Sequence, residues 1–202
     1  MTTSAVSGSL LDRAIDDSSL APVIRVSAAI FAVALTATAA QVTMPIPFTA
    51  VPFVLTPLVV LLAGAALGPR LGAVTQIAYL AAGVAGLPVF APSAILPPGA
   101  ARLMGPTGGY LMAYPLAAFV AGTLAARGWD RRYVTSALGM TAGLLVIFAG
   151  GVAWLMVAWH QSVGAALAGG FTPFIVADLL KVAVAAMILP QVWKLFHERP
   201  SR

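Results

Sequence analysis

Arg102, Asp178 and Lys181 carry charge where the surrounding sequence makes charge costly. Asp178 and Lys181 stand three residues apart in the apolar run TPFIVADLLKVAVAAMIL, residues 172–189. Thr172 suits an N-cap and Pro173 the first helical position, so a helix is expected to start here. The spacing puts acid and base on one face of that helix. A carboxylate accepts N–H donors, an ammonium donates to a carbonyl or carboxylate, and the Arg102 guanidinium offers a planar fork for a carboxylate. Three such groups facing one pocket suit a small amphiphile with an anionic end and an N–H-bearing end. The plain alternative is a mutual structural ion pair. It leaves Arg102 unexplained and sets a costly pair where Leu would serve. Gly105-Pro106-Thr107-Gly108-Gly109-Tyr110 ends at an expected helix N-terminus, where free N–H groups favour an anion. Phe48, Tyr79, Phe90, Tyr110 and Trp154 are available as apolar walls. Each of these aromatics alone also fits ordinary packing or an interfacial anchor.

The elements that must position these residues are membrane helices. Of 202 residues, 60% are hydrophobic and 8% charged, against about 25% charged in a soluble domain. Such a chain cannot coat a globule in water, and the reading is an all-α integral membrane protein folded as one bundle. The apolar runs are continuous rather than alternating, which excludes a barrel. There is no cysteine, so no disulfide or thiolate chemistry. Neither a phosphate-binding Gly-x-x-x-x-Gly-Lys-Ser/Thr loop nor a His-Glu-x-x-His or Gly-x-Ser-x-Gly motif occurs. The chain reads as a binding subunit without metal, cofactor or catalytic apparatus, powered from elsewhere. The formal charge of +5 reflects loop placement and gives no sign of nucleic-acid binding.

Residues 1–21 are expected as a short disordered cytoplasmic tail and 196–202 as a second tail. Between them, 22–195 form the membrane domain, with spans expected at 23–40, 53–67, 71–87, 109–126, 134–159 and 171–192. Ala37-Thr38-Ala39 resembles a signal-peptidase site, but Asp12, Asp16 and Asp17 argue against a positive leader and favour a plain first span. With both termini cytoplasmic, nine of the eleven basic residues fall inside and Arg102 alone lies in an outer connection, a positive-inside pattern. Asp178 and Lys181 then lie roughly 7 and 12 Å below the outer end of the sixth helix. Residues 41–52, QVTMPIPFTAVP, hold three prolines and fold as an apolar connector or a lid, with Met44, Ile46, Phe48 and Val51 turned onto the bundle. The long loop 88–107 carries Arg102. Residues 160–170 read as a polar or small loop.

At these residues the chain resembles BioY, the biotin-specific substrate-binding (S) component of energy-coupling factor (ECF) transporters. The resemblance spans about residues 24–192. It rests on Gln41-x8-Ala50-Val51-Pro52-Phe53, Leu61-Leu62-Ala63-Gly64, Leu67-Gly68-Pro69-Arg70-Leu71-Gly72, Gly86-Leu87-Pro88-Val89-Phe90-Ala91, the 105–110 segment, and Pro173-Phe174 with Asp178-x-x-Lys181. It implies the six-helix ECF S-component fold in a bacterial inner (plasma) membrane, with a biotin pocket facing outward. It also implies a lid at 41–52, here Phe48 and Thr49, and two kinds of partner: a transmembrane coupling protein and ABC-type ATPases. The matching pair for contact with the coupling protein is Ala28 and Ala32. Arg102, Asp178 and Lys181 carry over as polar ligand contacts, with Phe90, Thr107, Gly109, Tyr110 and Tyr79 around them. Arg102 is assigned to the biotin carboxylate and Asp178 to a ureido N–H. Lys181 is left between the ureido carbonyl and the carboxylate, and self-association as a homo-oligomer stays open. Two other classes compete: a proton-coupled carrier using Asp178 as relay, and a membrane enzyme acting on lipid.

Overall fold

The computed structural model describes residues 8–15, 19–93 and 95–197. A short helix α1 (Leu10–Ala14) comes first, closed by a capping box between Ser9 and Asp12. Asp12 also pairs with Arg25 at 3.1 Å, and Leu10 and Ile15 are buried. Part of the stretch expected as a disordered tail therefore has structure, because two apolar residues and a cap are enough to seat one helical turn on the bundle. Residues 1–7, 16–18 and 198–202 of the two expected tails lie outside the described residues.

The chain continues through α2 (Ala21–Gln41), β1 (Thr43–Met44), β2 (Phe53–Val54), α3 (Thr56–Leu67), α4 (Pro69–Val84), α5 (Ala101–Met104) and α6 (Gly108–Ala126). A 3-10 turn (Trp129–Arg131), α7 (Tyr133–Val157), α8 (Val163–Gly170), a second 3-10 turn (Thr172–Phe174) and α9 (Ile175–His197) follow. Prolines start several helices: α2, α3 and α4 each have Pro at one of their first two positions, where its missing N–H costs nothing. Strands β1 and β2 pair antiparallel, Thr43 with Val54 and Met44 with Phe53. Residues 43–54 thus form a two-stranded hairpin flap joining α2 to α3.

Helix α6 is the axis of the bundle and packs on α3, α4 and α7, while α9 closes against α7 and α3. Small residues let the backbones touch. A Cβ at Gly64 would collide with the Ala118 carbonyl, and one at Gly109 with Gly150 and Trp154. Four helical segments among the described residues are long and apolar enough to cross a membrane: Ala21–Gln41, Gly108–Ala126, Tyr133–Val157 and Val163–Leu195. Helices α3, with 12 residues, and α4, with 16, are shorter than that. The outward side chains are apolar: Val23, Val26, Ile30 and Phe31 on α2 are all mostly exposed, a surface suited to lipid.

Three local expectations are corrected. Residues 163–170 form α8 instead of a loop, started by Ser162, whose hydroxyl accepts from the Ala165 N–H at 3.3 Å. Thr172 does not cap α9; its hydroxyl donates to the Leu167 carbonyl at 3.1 Å, and the helix proper begins at Ile175 after a 3-10 turn. Ala32 is buried against the rest of the bundle while Ala28 is half-buried, so the pair does not present one free surface. Thr36, one turn beyond Ala32, faces the same way and takes a 3.5 Å contact from Gln76 of α4.

Candidate functional site

A cavity of about 240 Å³ lies beneath the flap, between α3, α4, the 88–107 loop, α6, α7 and α9. Arg102, Asp178, Lys181, Tyr79, Phe90, Thr107 and Tyr110 all line it. These seven come from four separate stretches of the chain, so the fold assembles what the sequence scatters.

Asp178 and Lys181 are both buried, and the Lys181 ammonium donates to Asp178 Oδ1. It donates as well to the Val54 carbonyl at 2.6 Å and sits 3.8 Å from the centroid of the Phe53 ring. The ammonium is thus held by a carboxylate, a carbonyl and a ring face, a set that offsets much of its lost hydration. No described residue donates to Asp178 Oδ2, which leaves that oxygen as an acceptor on the cavity wall. Asp178 and Lys181 are thus a mutual ion pair that also lines the cavity.

Arg102 sits on α5, a single helical turn in the 88–107 loop. Its Nε donates to the Pro97 carbonyl at 3.2 Å, which fixes the guanidinium at the cavity edge. Among the described residues it has no acidic partner. Partial burial lowers its pKa from the ordinary value, yet a guanidinium stays cationic at neutral pH. The site thus has a cation without an anion at one place and a carboxylate with a spare acceptor at another.

The aromatic wall is ordered by its own contacts. Tyr79 meets Phe90 edge to face, with ring centroids 5.4 Å apart, and stacks on Tyr114 at 6.4 Å. The Tyr79 hydroxyl donates to the Val89 carbonyl at 3.1 Å. Gln41 reaches the same loop, donating to the Pro88 and Phe90 carbonyls at 3.3 Å each. Phe90 also fills the space beside Gly83, where any Cβ would collide with its ring.

Three expected contacts are not part of the wall. Gly109 does not line the cavity; it is the point where α6 touches α7, backed by Trp154 and Gly150. Trp154 instead donates its indole N–H to the Gly105 carbonyl at 2.9 Å, bracing the 105–110 segment from behind. Phe48 points away from the cavity, fully exposed, with φ at 78°. Met44 is exposed too, and only Ile46 and Val51 of the four flap apolars turn inward. The other expected flap residue, Thr49, does line the cavity.

Sequence reasoning missed Thr56, Tyr114, Ile147, Phe148 and Phe174, all of which line the cavity. Thr56 and Tyr114 are buried hydroxyl-bearing residues beside Asp178 in that lining. A hydroxyl inside an apolar run leaves no mark comparable to a charge, and no spacing rule singles out these positions.

Comparison with known proteins identifies the relatives of the chain. The profile of the BioY family matches residues 13–198. The chain is 41% identical over 156 residues to the probable biotin transporter BioY of Pyrococcus horikoshii, covering 77% of this chain and 88% of that protein. It is 40% identical over 158 residues to the biotin transporter BioY of Thermotoga maritima, covering 76% and 88%. Its fold is similar to the crystal structure of the S-component for biotin from an ECF-type ABC transporter, with a TM-score of 0.78, 24% identity, and coverage of 88% of this chain and 94% of that one. A bundle with this cavity, matched over nearly its whole length by one family's profile, belongs to the BioY family.

Proposed function

We infer that the chain is the high-affinity biotin-binding S component of an ECF transporter. It binds biotin in an outward-facing pocket and delivers it across the membrane with energy from partner ATPases. The observation that carries this reading is the single cavity in which Arg102 and the Asp178–Lys181 pair share an aromatic lining. Biotin has a valerate carboxylate, a ureido ring with two N–H donors and a carbonyl, and an apolar thioether ring. Arg102 takes the carboxylate, and Asp178 Oδ2 accepts a ureido N–H. Lys181, already committed to Val54 and Asp178, serves the ureido carbonyl or the carboxylate. Tyr79, Phe90 and Tyr110 cover the rings, and Thr107 adds a hydroxyl to the same lining.

In this reading α3 and α4 complete six spans, both termini are cytoplasmic, and the protein is a multi-pass component of a bacterial plasma membrane. The coupling protein meets the outward side of α2, where Ala28 is accessible and the larger apolar residues flank it. The chain itself uses no cofactor. ATP is consumed by the partner ATPases.

Calorimetry on the purified chain in detergent tests the reading, with Asp178→Asn and Lys181→Ala alongside. Tight wild-type binding of biotin is expected, weakened in either variant by ~2 kcal/mol or more, the cost of leaving a buried partner unpaired. Absence of binding by folded wild-type protein overturns the assignment.

A further inference from the structure

The flap over the cavity is fastened at two places. One is its base, where Lys181 holds the Val54 carbonyl. The other is its far side, where the Thr49 hydroxyl donates to the Gly169 carbonyl at 2.6 Å, across 120 residues of sequence. The same oxygen accepts the Val51 N–H at 3.1 Å. A threonine hydroxyl has one proton to give, and here it goes to Gly169. So although Thr49 lines the cavity, its donor is committed to another part of the protein.

Gly169 and Gly170 are the last residues of α8. The final carbonyls of a helix have no partner within it and need one from outside. At α8 each of three carbonyls finds one. The Leu167 carbonyl takes the Phe171 N–H and the Thr172 hydroxyl, both at 3.1 Å. The Gly170 carbonyl takes the Tyr110 hydroxyl at 2.6 Å, and the Gly169 carbonyl takes Thr49. Tyr110, a wall of the cavity, therefore pins α8 in place, and α8 offers its next carbonyl to the flap. Gly170 is required for this seating, since a Cβ there would strike the Tyr110 hydroxyl and approach Leu155 Cδ1 to 2.7 Å. Phe48, next to Thr49, does not hold the flap: its side chain is fully exposed and its φ of 78° is a strained value for a bulky residue. That strain favours release of the flap once the neighbouring bond is broken.

Resting on the reading of the cavity as a ligand site, we propose that Thr49 is a positioning residue that latches the flap to the carbonyl end of α8, and that this latch sets how fast ligand exchanges rather than how tightly it binds. The reason is that neither partner of the bond is the ligand. The latch stabilises the closed flap by the same amount whether the cavity is filled or empty. Its loss then speeds association and dissociation together. A group that touched the ligand would act mainly on dissociation and on affinity.

Thr49→Val removes the hydroxyl and keeps the shape, and Thr49→Ser restores the hydroxyl. Stopped-flow measurement with biotin is expected to show both rate constants rising about fivefold in Thr49→Val, the value of one net hydrogen bond, with Kd changed less than about twofold and Thr49→Ser like wild type. Dissociation alone accelerating, with Kd weakened in step, makes Thr49 a ligand contact and overturns the latch. Unchanged rates overturn it too. A second measurement needs no ligand. The chain has no cysteine, and Val51 is a buried flap residue, so Val51→Cys reports flap opening by its rate of maleimide labelling. Labelling should be about fivefold faster when Thr49→Val is added, for the same hydrogen-bond reason, and unchanged when Thr49→Ser is added. Equal labelling in all three proteins overturns the latch. Failure of wild-type protein to bind biotin would sink the functional reading while the labelling result still judges the latch.

Discussion

In the proposed reading, Arg102 sets the orientation of the ligand by taking its carboxylate. It is held at the cavity edge by Pro97 and has no acidic partner among the described residues. Arg102→Ala is expected to weaken biotin binding by about 1.5–3 kcal/mol, the range for a hydrogen bond to a charged group. It should leave the affinity for the neutral biotin amide nearly unchanged. Calorimetry with both ligands checks this, and equal losses would remove Arg102 from the carboxylate. Asp178 and Lys181 were legible in the sequence because charge in an apolar helix is expensive and so has a reason to be there. Thr56 and Tyr114 were not, since a single neutral hydroxyl in an apolar helix carries no cost comparable to a charge and so leaves no mark in the sequence.

At the scale of elements, the α6–α7 contact and the α9 anchor can each be probed by one change. Gly109 is buried between α6 and α7, and any Cβ meets Trp154 and the Gly150 carbonyl. Gly109→Ala is therefore expected to lower stability by about 1–3 kcal/mol, the usual cost of overpacking, read as a drop in melting temperature. Any loss of biotin affinity should vanish at temperatures where the variant is folded. Unaltered melting with lost affinity would return Gly109 to the binding site. At the other end of the bundle, Asp130 is buried in the 3-10 turn before α7 and accepts the Trp193 indole N–H of α9 at 2.6 Å. Burial raises its pKa, an effect that the Trp193 hydrogen bond and neighbouring Arg131 offset only in part. The folded protein therefore holds this proton more tightly than the unfolded chain does. The contribution of Asp130 to stability is greatest below its ordinary pKa and declines as pH rises through the raised one. Asp130→Asn keeps an oxygen for Trp193 and removes that decline. It is expected to melt higher than wild type at pH 7, with a flatter dependence above about pH 4. A lower melting temperature at pH 7 would mean that the charge is favourable where it is. The flap and α8 were less legible than the long helices. Two-residue strands set no period, and the Gly- and Ala-rich α8 reads like a loop until its ends are seen to be held.

For the whole molecule, the prediction is its orientation. In a chain without cysteine, Ile95→Cys in the outer loop and Arg127→Cys in the α6–α7 turn sit at exposed positions. An impermeant maleimide added to intact cells should label the first at once and the second only after permeabilisation. The reverse pattern would invert the molecule and place the cavity mouth inside. The helices α3 and α4, with 12 and 16 residues, reach about 18 and 24 Å. Both fall short of a bilayer core of about 30 Å, and both pack on the longer α6.

The sequence by itself determined the membrane as solvent, the long helices, and the three charged residues worth attention. Each follows from a cost that composition alone exposes: apolar area in water, or charge in hydrocarbon. Only the tertiary structure decided which neighbours those residues have. Lys181 meets Val54 and Phe53 across the flap, Thr49 meets Gly169, and Tyr114 and Thr56 join the cavity wall while Gly109, Trp154 and Phe48 leave it. These are contacts between stretches distant in the chain, set by how helix surfaces and loop ends fit together, and no local preference encodes them.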